Sequence, residues 1–259
     1  MEDLALIRTA ALEAGKLALE MRAAGLKIWN KEGGSPVTDA DLAVDTLLRE
    51  RLLAARPDYG WLSEETVDDP ERLARRRLFC VDPIDGTAAY LKDKPWFSVC
   101  IAVVGDGAPA CGVVYAPALD EMFEAVAGQG ATLNGGQIHA SATADLENSA
   151  MLGDARMFAH PAWPQPWPPM RIESRNSVAY RMCLVADGRF DAAVALSPKN
   201  EWDLAAADLI VREAGGMATD HFGRPFTYNA PIPQAPSVIC AAPTLHPLIL
   251  NRVAHIGRA

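Results

Sequence analysis

The sequence predicts a layered α/β fold of the α+β kind, in which antiparallel strands are interspersed with helices. Three observations predict it. Apolar residues recur at helical spacing near both ends of the chain. Strand-length apolar runs separated by turn residues fill the middle. Neither GxxxxGK nor GxGxxG occurs, so nothing marks a regular βαβ array.

The elements follow in order. Leu4, Ile7, Ala11, Ala14, Ala18 and Met21 predict an amphipathic helix over 3–24, closed by Gly25. A polar loop over 30–36 leads into a second helix from about Asp39 to Ala55, stopped by Pro57. Leu78–Val81 reads as a buried strand ending at Asp82. Phe97–Val104 and Ala110–Tyr115 flank Gly105-Asp-Gly-Ala-Pro109, a hairpin signal. Met122–Val126 and Ala131–Leu133 form another hairpin around Gly128-Gln-Gly130, and Asn134-Gly-Gly136 turns the chain again. His160–Met170 holds five prolines and two tryptophans. It reads as an irregular surface connection, so the chain is expected to be one unit over 1–259 with halves 1–158 and 171–259 joined by 159–170. A helix (Ser177–Ala186), a strand (Phe190–Leu196), a helix (Asp203–Ala214, ended by Gly215-Gly216) and a last helix (Leu245–His255) complete the expectation.

Composition narrows the function classes. The 259 residues carry 24 Lys+Arg against 33 Asp+Glu, a net charge of −9, and are 50% hydrophobic. That is a globular mixture with no basic surplus for a nucleic-acid polymer. A small anion is still admissible, since one metal or local basic pocket inverts the field of a site. No apolar run approaches membrane-spanning length. The opening residues lack the basic start of a signal peptide. Cys80, Cys100, Cys111, Cys183 and Cys240 are odd in number and form no CxxC, so buried free thiols and a cytoplasmic location are expected. The histidines show no HExxH or HxxxH pair, which leaves zinc unsupported.

The chemistry concentrates in Cys80-Val-Asp82-Pro-Ile-Asp85-Gly-Thr87. A strand delivers Asp82, Gly86 permits a tight turn, and two carboxylates this close repel unless a hard cation separates them. Backbone N–H groups after the turn offer a phosphate site. An acidic strand-end turn, with Asp85 and Thr87 capping a helix, serves the same residues equally well. Three further segments tip the balance: Leu62-Ser-Glu64-Glu65, Trp202-Asp203 at a helix start, and Ser35-Pro-Val-Thr38-Asp39-Ala-Asp41.

Together these segments resemble the inositol monophosphatase superfamily of magnesium-dependent, lithium-sensitive phosphatases. The DPIDGT and WDLAAADLIVREAGG segments match its two signatures, and the Glu-Glu pair and PVTDAD extend the likeness over essentially the whole chain. The resemblance implies an alternating α-β-α-β-α sandwich and two or three Mg²⁺ ions. Glu64, Asp82, Asp85, Asp203 and the Ile84 carbonyl would be their ligands. It makes Asp41 the acid beside the third metal, and Thr87 the hydroxyl that activates the attacking water with Glu64. Asp85, Gly86 and Thr87 would hold the phosphate, and Lys31 falls near the family's metal loop. Oxygen-only ligands suit Mg²⁺. A small phosphorylated substrate is implied, and family members are often dimers, so a homodimer is expected.

Substrate follows from local departures. Seven residues before Asp203, where inositol monophosphatases commonly carry a polyol-binding Glu, stands Leu196. Arg181, two residues before Cys183, takes the place of a lysine that in bacterial 3′(2′),5′-bisphosphate nucleotidases faces the second phosphate. Gly33-Gly-Ser-Pro-Val-Thr, Gly112–Pro117 and Pro198–Asp203 also resemble that branch, and Tyr180 is a candidate to stack on adenine. Against it, Ala88-Ala89-Tyr90 follows DPIDGT where a basic residue is usual, with Lys92 and Lys94 as nearby substitutes. The expected reaction is hydrolysis of 3′-phosphoadenosine 5′-phosphate to AMP. The alternatives are an inositol-1-phosphate, sugar, polyol or histidinol phosphate phosphatase, and a non-catalytic metal-binding scaffold.

Overall fold

The structure is a computed structural model that describes residues 2–31, 34 and 36–257. Helix α1 (Glu2–Ala24) is followed by the antiparallel pair β1 (Ile28–Asn30) and β2 (Pro36–Thr38), then α2 (Asp39–Ala55). Both helices match their sequence expectation to within one residue. A seven-stranded sheet comes next: β3 (Gly60–Ser63), β4 (Arg77–Asp85), β5 (Ser98–Gly105), β6 (Ala108–Ala116), β7 (Glu121–Val126), β8 (Ala131–Leu133) and β9 (Gly136–Gln137), with the short helix α3 (Thr87–Tyr90) after β4. These strands lie side by side in chain order. Only β3 and β4 run parallel, and the two expected hairpins are β5–β6 and β7–β8.

The second half supplies β10 (Ala150–Leu152), α4 (Ala155–Phe158), β11 (Arg171–Glu173), α5 (Val178–Ala186), β12 (Ala192–Ala195), β13 (Lys199–Asn200), α6 (Glu201–Glu213), β14 (Met217–Thr219), β15 (Gln234–Ala235), β16 (Val238–Ala241) and α7 (His246–Val253). Its five-stranded sheet has the order β11-β10-β12-β16-β14.

Period-two alternation along β4 creates the layers. Phe79 and Val81 point to one face of the first sheet and meet Ile7, Ala11, Ala14, Val44 and Leu48 of α1 and α2. Leu78 and Cys80 point to the other face and meet α5 and α6 through Met182, Cys183, Leu209 and Ile210. The opposite side of that helical layer covers Leu152, Ala193, Val238 and Cys240 of the second sheet. Ile249 and Val253 of α7 cover that sheet's far face. The result is the α-β-α-β-α sandwich. Close approach of α6 to β6 depends on Gly112, where a Cβ would lie 2.9 Å from the Ala206 Cα.

Three expectations change. The proline-rich 159–170 segment does not join the halves, because it lies between β10 and β11, both in the second sheet. The crossing between sheets occupies 138–149. Nor is the segment merely superficial. Trp163 donates from Nε1 to the Met157 carbonyl at 2.6 Å, and Trp163 and Trp167 pack edge-on at 5.4 Å over the α7 layer. The third change is at α6, which starts at Glu201, so Asp203 sits within its first turn and not at its cap. Residues 32, 33 and 35 of the polar loop, and with them part of the Gly33-Gly-Ser likeness, lie outside the described residues. All five cysteines are buried and unpaired. Among the described residues, no helix is long and apolar enough to cross a membrane.

Candidate active site

Strand β4 delivers Asp82, and Pro83 then breaks the ladder. Pairing with β5 shifts register between Asp82 and Asp85, so both carboxylates point into the same site. The Ile84 N–H donates to Asp82 Oδ1 at 3.0 Å. Gly86 takes φ +94°, and a Cβ there would lie 2.9 Å from the Ser177 nitrogen, so both turn and packing require glycine.

Asp85 crosses from the first sheet to the helical layer. Ser177 caps α5 and donates its hydroxyl to Asp85 Oδ2 at 2.6 Å. The Ala179 N–H reaches the same oxygen at 2.7 Å, and the Val178 N–H reaches Oδ1 at 3.1 Å. The start of α5 thus holds the carboxylate with three donors, one from each of three successive residues. Asp203, on the first turn of α6, accepts the Asn200 N–H at 3.0 Å. One carboxylate oxygen each of Asp82, Asp85 and Asp203 lies within 4.8 Å of the others. Burial raises all three carboxyls, and repulsion from neighbouring carboxylates adds to it at Asp82, which lies well above its usual range, and at Asp203, which reaches about 7. Asp85 reaches about 6, because burial outweighs the donors of α5.

Glu64 and Glu65 follow β3. Glu64 lies outside the three-carboxylate cluster and accepts from Lys31 Nζ at 2.9 Å, while Glu65 accepts from the same nitrogen at 2.7 Å. Burial pushes the Glu65 carboxyl to about 7 against the pull of Lys31. Asp41 is buried on the first turn of α2. Its Oδ2 accepts the Thr38 N–H at 2.8 Å and the Thr38 hydroxyl at 2.6 Å. Thr87 Oγ1 lies 3.2 Å from both Asp41 Oδ1 and the Ile84 carbonyl, so one hydroxyl joins α2 to the DPIDGT turn.

The specificity residues divide. Arg181 flanks the cluster: burial lowers its pKa, and the carboxylates of Asp85 and Asp203 oppose that. Its Nε is hidden from solvent without a hydrogen-bond partner among the described residues. Lys199 acts on the same carboxylates and lies close enough to Arg181 for the two cations to interact. Tyr180 is misplaced by the sequence reading. It is buried in the core, edge-on to Phe123 at 6.2 Å, with its hydroxyl donating to Glu121 at 2.8 Å, so it has no face free for a base. Leu196 packs against the α7 layer. Lys92 and Lys94 are exposed, and Lys94 lies 5.9 Å from the Trp96 ring.

Ser177 and Lys199 are site residues that sequence reasoning missed. A serine just before an apolar helical run is a cap signal, but only the tertiary structure reveals that its hydroxyl also serves Asp85.

The profile of the inositol monophosphatase family matches residues 2–258. The chain is 37% identical over 232 residues to a histidinol-phosphatase of Chlorobaculum parvum, covering 86% of this chain and 87% of that one. It is 34% identical over 212 residues to the 3′(2′),5′-bisphosphate nucleotidase CysQ of Aggregatibacter actinomycetemcomitans, covering 77% of each. Its fold superposes on the solved Thermotoga maritima IMPase with a TM-score of 0.85 and 29% identity, over 98% of this chain and 97% of that one.

Proposed function

The chain belongs to the inositol monophosphatase family and is a phosphatase, and from that premise we propose that it is a Mg²⁺-dependent 3′(2′),5′-bisphosphate nucleotidase. The reaction takes 3′-phosphoadenosine 5′-phosphate and water to AMP and inorganic phosphate. The proposal includes sensitivity to Li⁺, a homodimer and a cytoplasmic location.

The donor set fits a hard divalent cation. Three carboxylates, buried at Asp82 and Asp85 and half-buried at Asp203, converge without a thiol or imidazole among them, and the raised pKa values of Asp82 and Asp203 include a repulsion that a cation would relieve. Asp82, Asp85 and Asp203 would hold Mg²⁺, with Glu64 and the Ile84 carbonyl completing the ligands. When bound, the two or three ions would neutralise the phosphoryl oxygens and make water acidic enough to attack.

The protein's own groups then set the geometry. Asp41 accepts the Thr87 proton, which leaves the Thr87 lone pairs free to receive a proton from the attacking water. Glu64 is the second acceptor. The backbone N–H groups of Gly86 and Thr87 bind the phosphoryl oxygens. Asp85, held by α5, keeps its lone pairs aimed into the cluster. No covalent phosphoenzyme is needed.

Arg181 carries the choice of substrate. The Arg181 guanidinium, which interacts with Asp85 and Asp203, has a solvent-hidden Nε–H donor without an acceptor among the described residues, and a second phosphate would bring acceptor oxygens to this guanidinium. Lys199 adds a second positive charge there. An ammonium-bearing substrate such as histidinol phosphate would meet repulsion from the same pair. Histidinol phosphate is still the second reading, because 37% identity to a histidinol-phosphatase favours it.

The test is phosphate release with Mg²⁺ from 3′-phosphoadenosine 5′-phosphate, histidinol phosphate and inositol 1-phosphate, compared by kcat/KM. The nucleotide should be preferred by about a hundredfold, the scale of a satisfied buried polar group, and Arg181→Ala should remove most of that preference. Faster turnover of histidinol phosphate would refute the nucleotide assignment.

A further inference from the structure

We propose that Asp45 is a positioning residue for the Glu64–Glu65 pair, and that it sets the affinity of the metal site without touching a ligand. The inference rests on the reading above that Glu64 is a metal ligand.

Asp45 lies on α2, one helical turn after Asp41, so the two acids share a face of the helix. It is buried at 6% exposure, and no cation pairs with it among the described residues. A buried carboxylate without a cation is costly unless its oxygens are hydrogen-bonded. Here they are bonded selectively. The Ser63 hydroxyl donates to Oδ1, and the Thr66 hydroxyl donates to Oδ2 at 2.6 Å. Ser63 immediately precedes Glu64, and Thr66 immediately follows Glu65. Thr66 is fixed in turn by Trp61, whose Nε1 donates to its oxygen at 3.2 Å.

One carboxylate therefore fastens the chain on both sides of the Glu-Glu step. Glu64 itself lies beyond the end of β3, where ladder pairing gives out and its N–H reaches the Val81 carbonyl at only 3.4 Å. Without Asp45 the pair would hang from a strand end and from Lys31. The same helix face presents Asp41 to Thr87. Helix α2 thus acts as a rigid spacer that fixes Thr87 and Glu64 relative to one another, the two groups that would share the attacking water.

The test measures Mn²⁺ binding to the purified full-length protein by electron paramagnetic resonance, a readout independent of turnover. Asp45→Ala should raise the half-saturating Mn²⁺ concentration at least fivefold. It should raise the Mg²⁺ needed for half-maximal activity by a similar factor, with KM for the phosphate substrate moving less than twofold. Asp45→Asn, which keeps one acceptor oxygen, should recover most of the loss. Leu52→Ala, a buried change further along α2, should lower the melting temperature and leave Mn²⁺ binding as it is. Should Asp45→Ala fail to fold, Ser63→Ala/Thr66→Val removes both donors and carries the same expectation.

Glu64→Gln separates the two levels of the argument. If Glu64→Gln weakens Mn²⁺ binding and Asp45→Ala does not, the positioning role is overturned alone. If Glu64→Gln binds Mn²⁺ like the wild type, the ligand role of Glu64 falls and this inference falls with it.

Discussion

Ser177→Ala tests the link between helix capping and the acid cluster. The hydroxyl has two jobs at once: its oxygen accepts the Tyr180 N–H at 2.9 Å, and its proton goes to Asp85 at 2.6 Å. Ser98, 3.0 Å away, must then donate to Ser177, since the Ser177 proton is committed. A lost serine cap costs about 1 kcal/mol and a lost hydrogen bond to a charged group about 1.5–3 kcal/mol. Asp85 keeps its Val178 and Ala179 donors, so the low end applies and the total is about 2–3 kcal/mol. For a chain of this size that lowers the melting temperature by about 4–6 °C. Thermal unfolding in EDTA, followed by tryptophan fluorescence, measures it, with Ser98→Ala as the milder companion. The same variant should need more Mg²⁺ for half-maximal activity, because Asp85 loses its shortest restraint. A melting point within about 1 °C of wild type, together with unchanged Mg²⁺ dependence, would refute the reasoning.

Stability of the metal-free protein should fall as pH rises. Asp85 and Asp203 have folded-state pKa values of about 6 and about 7, above the roughly 3.9 of a free aspartate, so the folded state binds protons more tightly in that window. Their stabilising protonation is complete below about pH 4 and gone above about pH 7, and added Mg²⁺ should raise the melting temperature more at about pH 8 than at about pH 5. Asp82→Asn should abolish turnover by at least about a thousandfold while raising the metal-free melting temperature at neutral pH, since one repelling carboxylate is gone; a metal-free protein that melts earlier would contradict this. Thr87→Ala should lower kcat by about a hundredfold or more with Mn²⁺ binding retained, and Thr87→Ser should keep most activity; equal losses in both would deny the hydroxyl its role. Tyr180→Phe removes the hydroxyl to Glu121 and should cost about 1 kcal/mol of stability while leaving kcat/KM for the nucleotide within about twofold; a tenfold rise in KM would return Tyr180 to the binding site.

Local patterning was enough for α1, α2 and the β5–β6 and β7–β8 hairpins, because each buries one regular face and ends on residues with their own stop chemistry. It failed where partners are distant. The proline-rich segment looked like a boundary because its composition forbids regular structure, yet Trp163 and Trp167 bring enough apolar surface to fasten it to the second sheet. Sheet membership of β10 depends on pairing with β11 and β12, which no window of sequence contains. At the site, the DPIDGT turn and Asp203 are legible as acids of one cluster, and the fold brings Asp82, Asp85 and Asp203 together. Tyr180 was misread because its helical position says nothing about which layer it faces: α5 is covered on both sides, and an aromatic there is core. Glu65 is legible only as half of the Glu-Glu pair, and Ser63 and Asp45 carry no signal of their own, since their contact exists only when α2 lies beside the end of β3.

The cluster also explains why so many acids survive burial in one fold. Three of them are delivered by a segment that supplies its own donor, Thr38 for Asp41, Ile84 for Asp82 and Asn200 for Asp203, while Asp85 takes its donors from the start of α5. The backbone donors named for the first three lie within three residues of their acids, so those bonds form with the turn or cap itself, and only the Thr87 hydroxyl reaches Asp41 from a distant segment. The acids are therefore oriented before any cation arrives, while their mutual repulsion is left standing. Asp85 is the exception, since its donors come from more than ninety residues away. It can be oriented only after the first sheet and the α5–α6 layer have docked. Assembly of the site and docking of the two halves are thus one event. A variant that loosens the docking, such as Gly112→Ala at the β6–α6 contact, should lower Mg²⁺ affinity and stability together, although it lies on the sheet and not in the site. Preserved Mg²⁺ affinity in a folded but destabilised Gly112→Ala protein would show that the two events are separable.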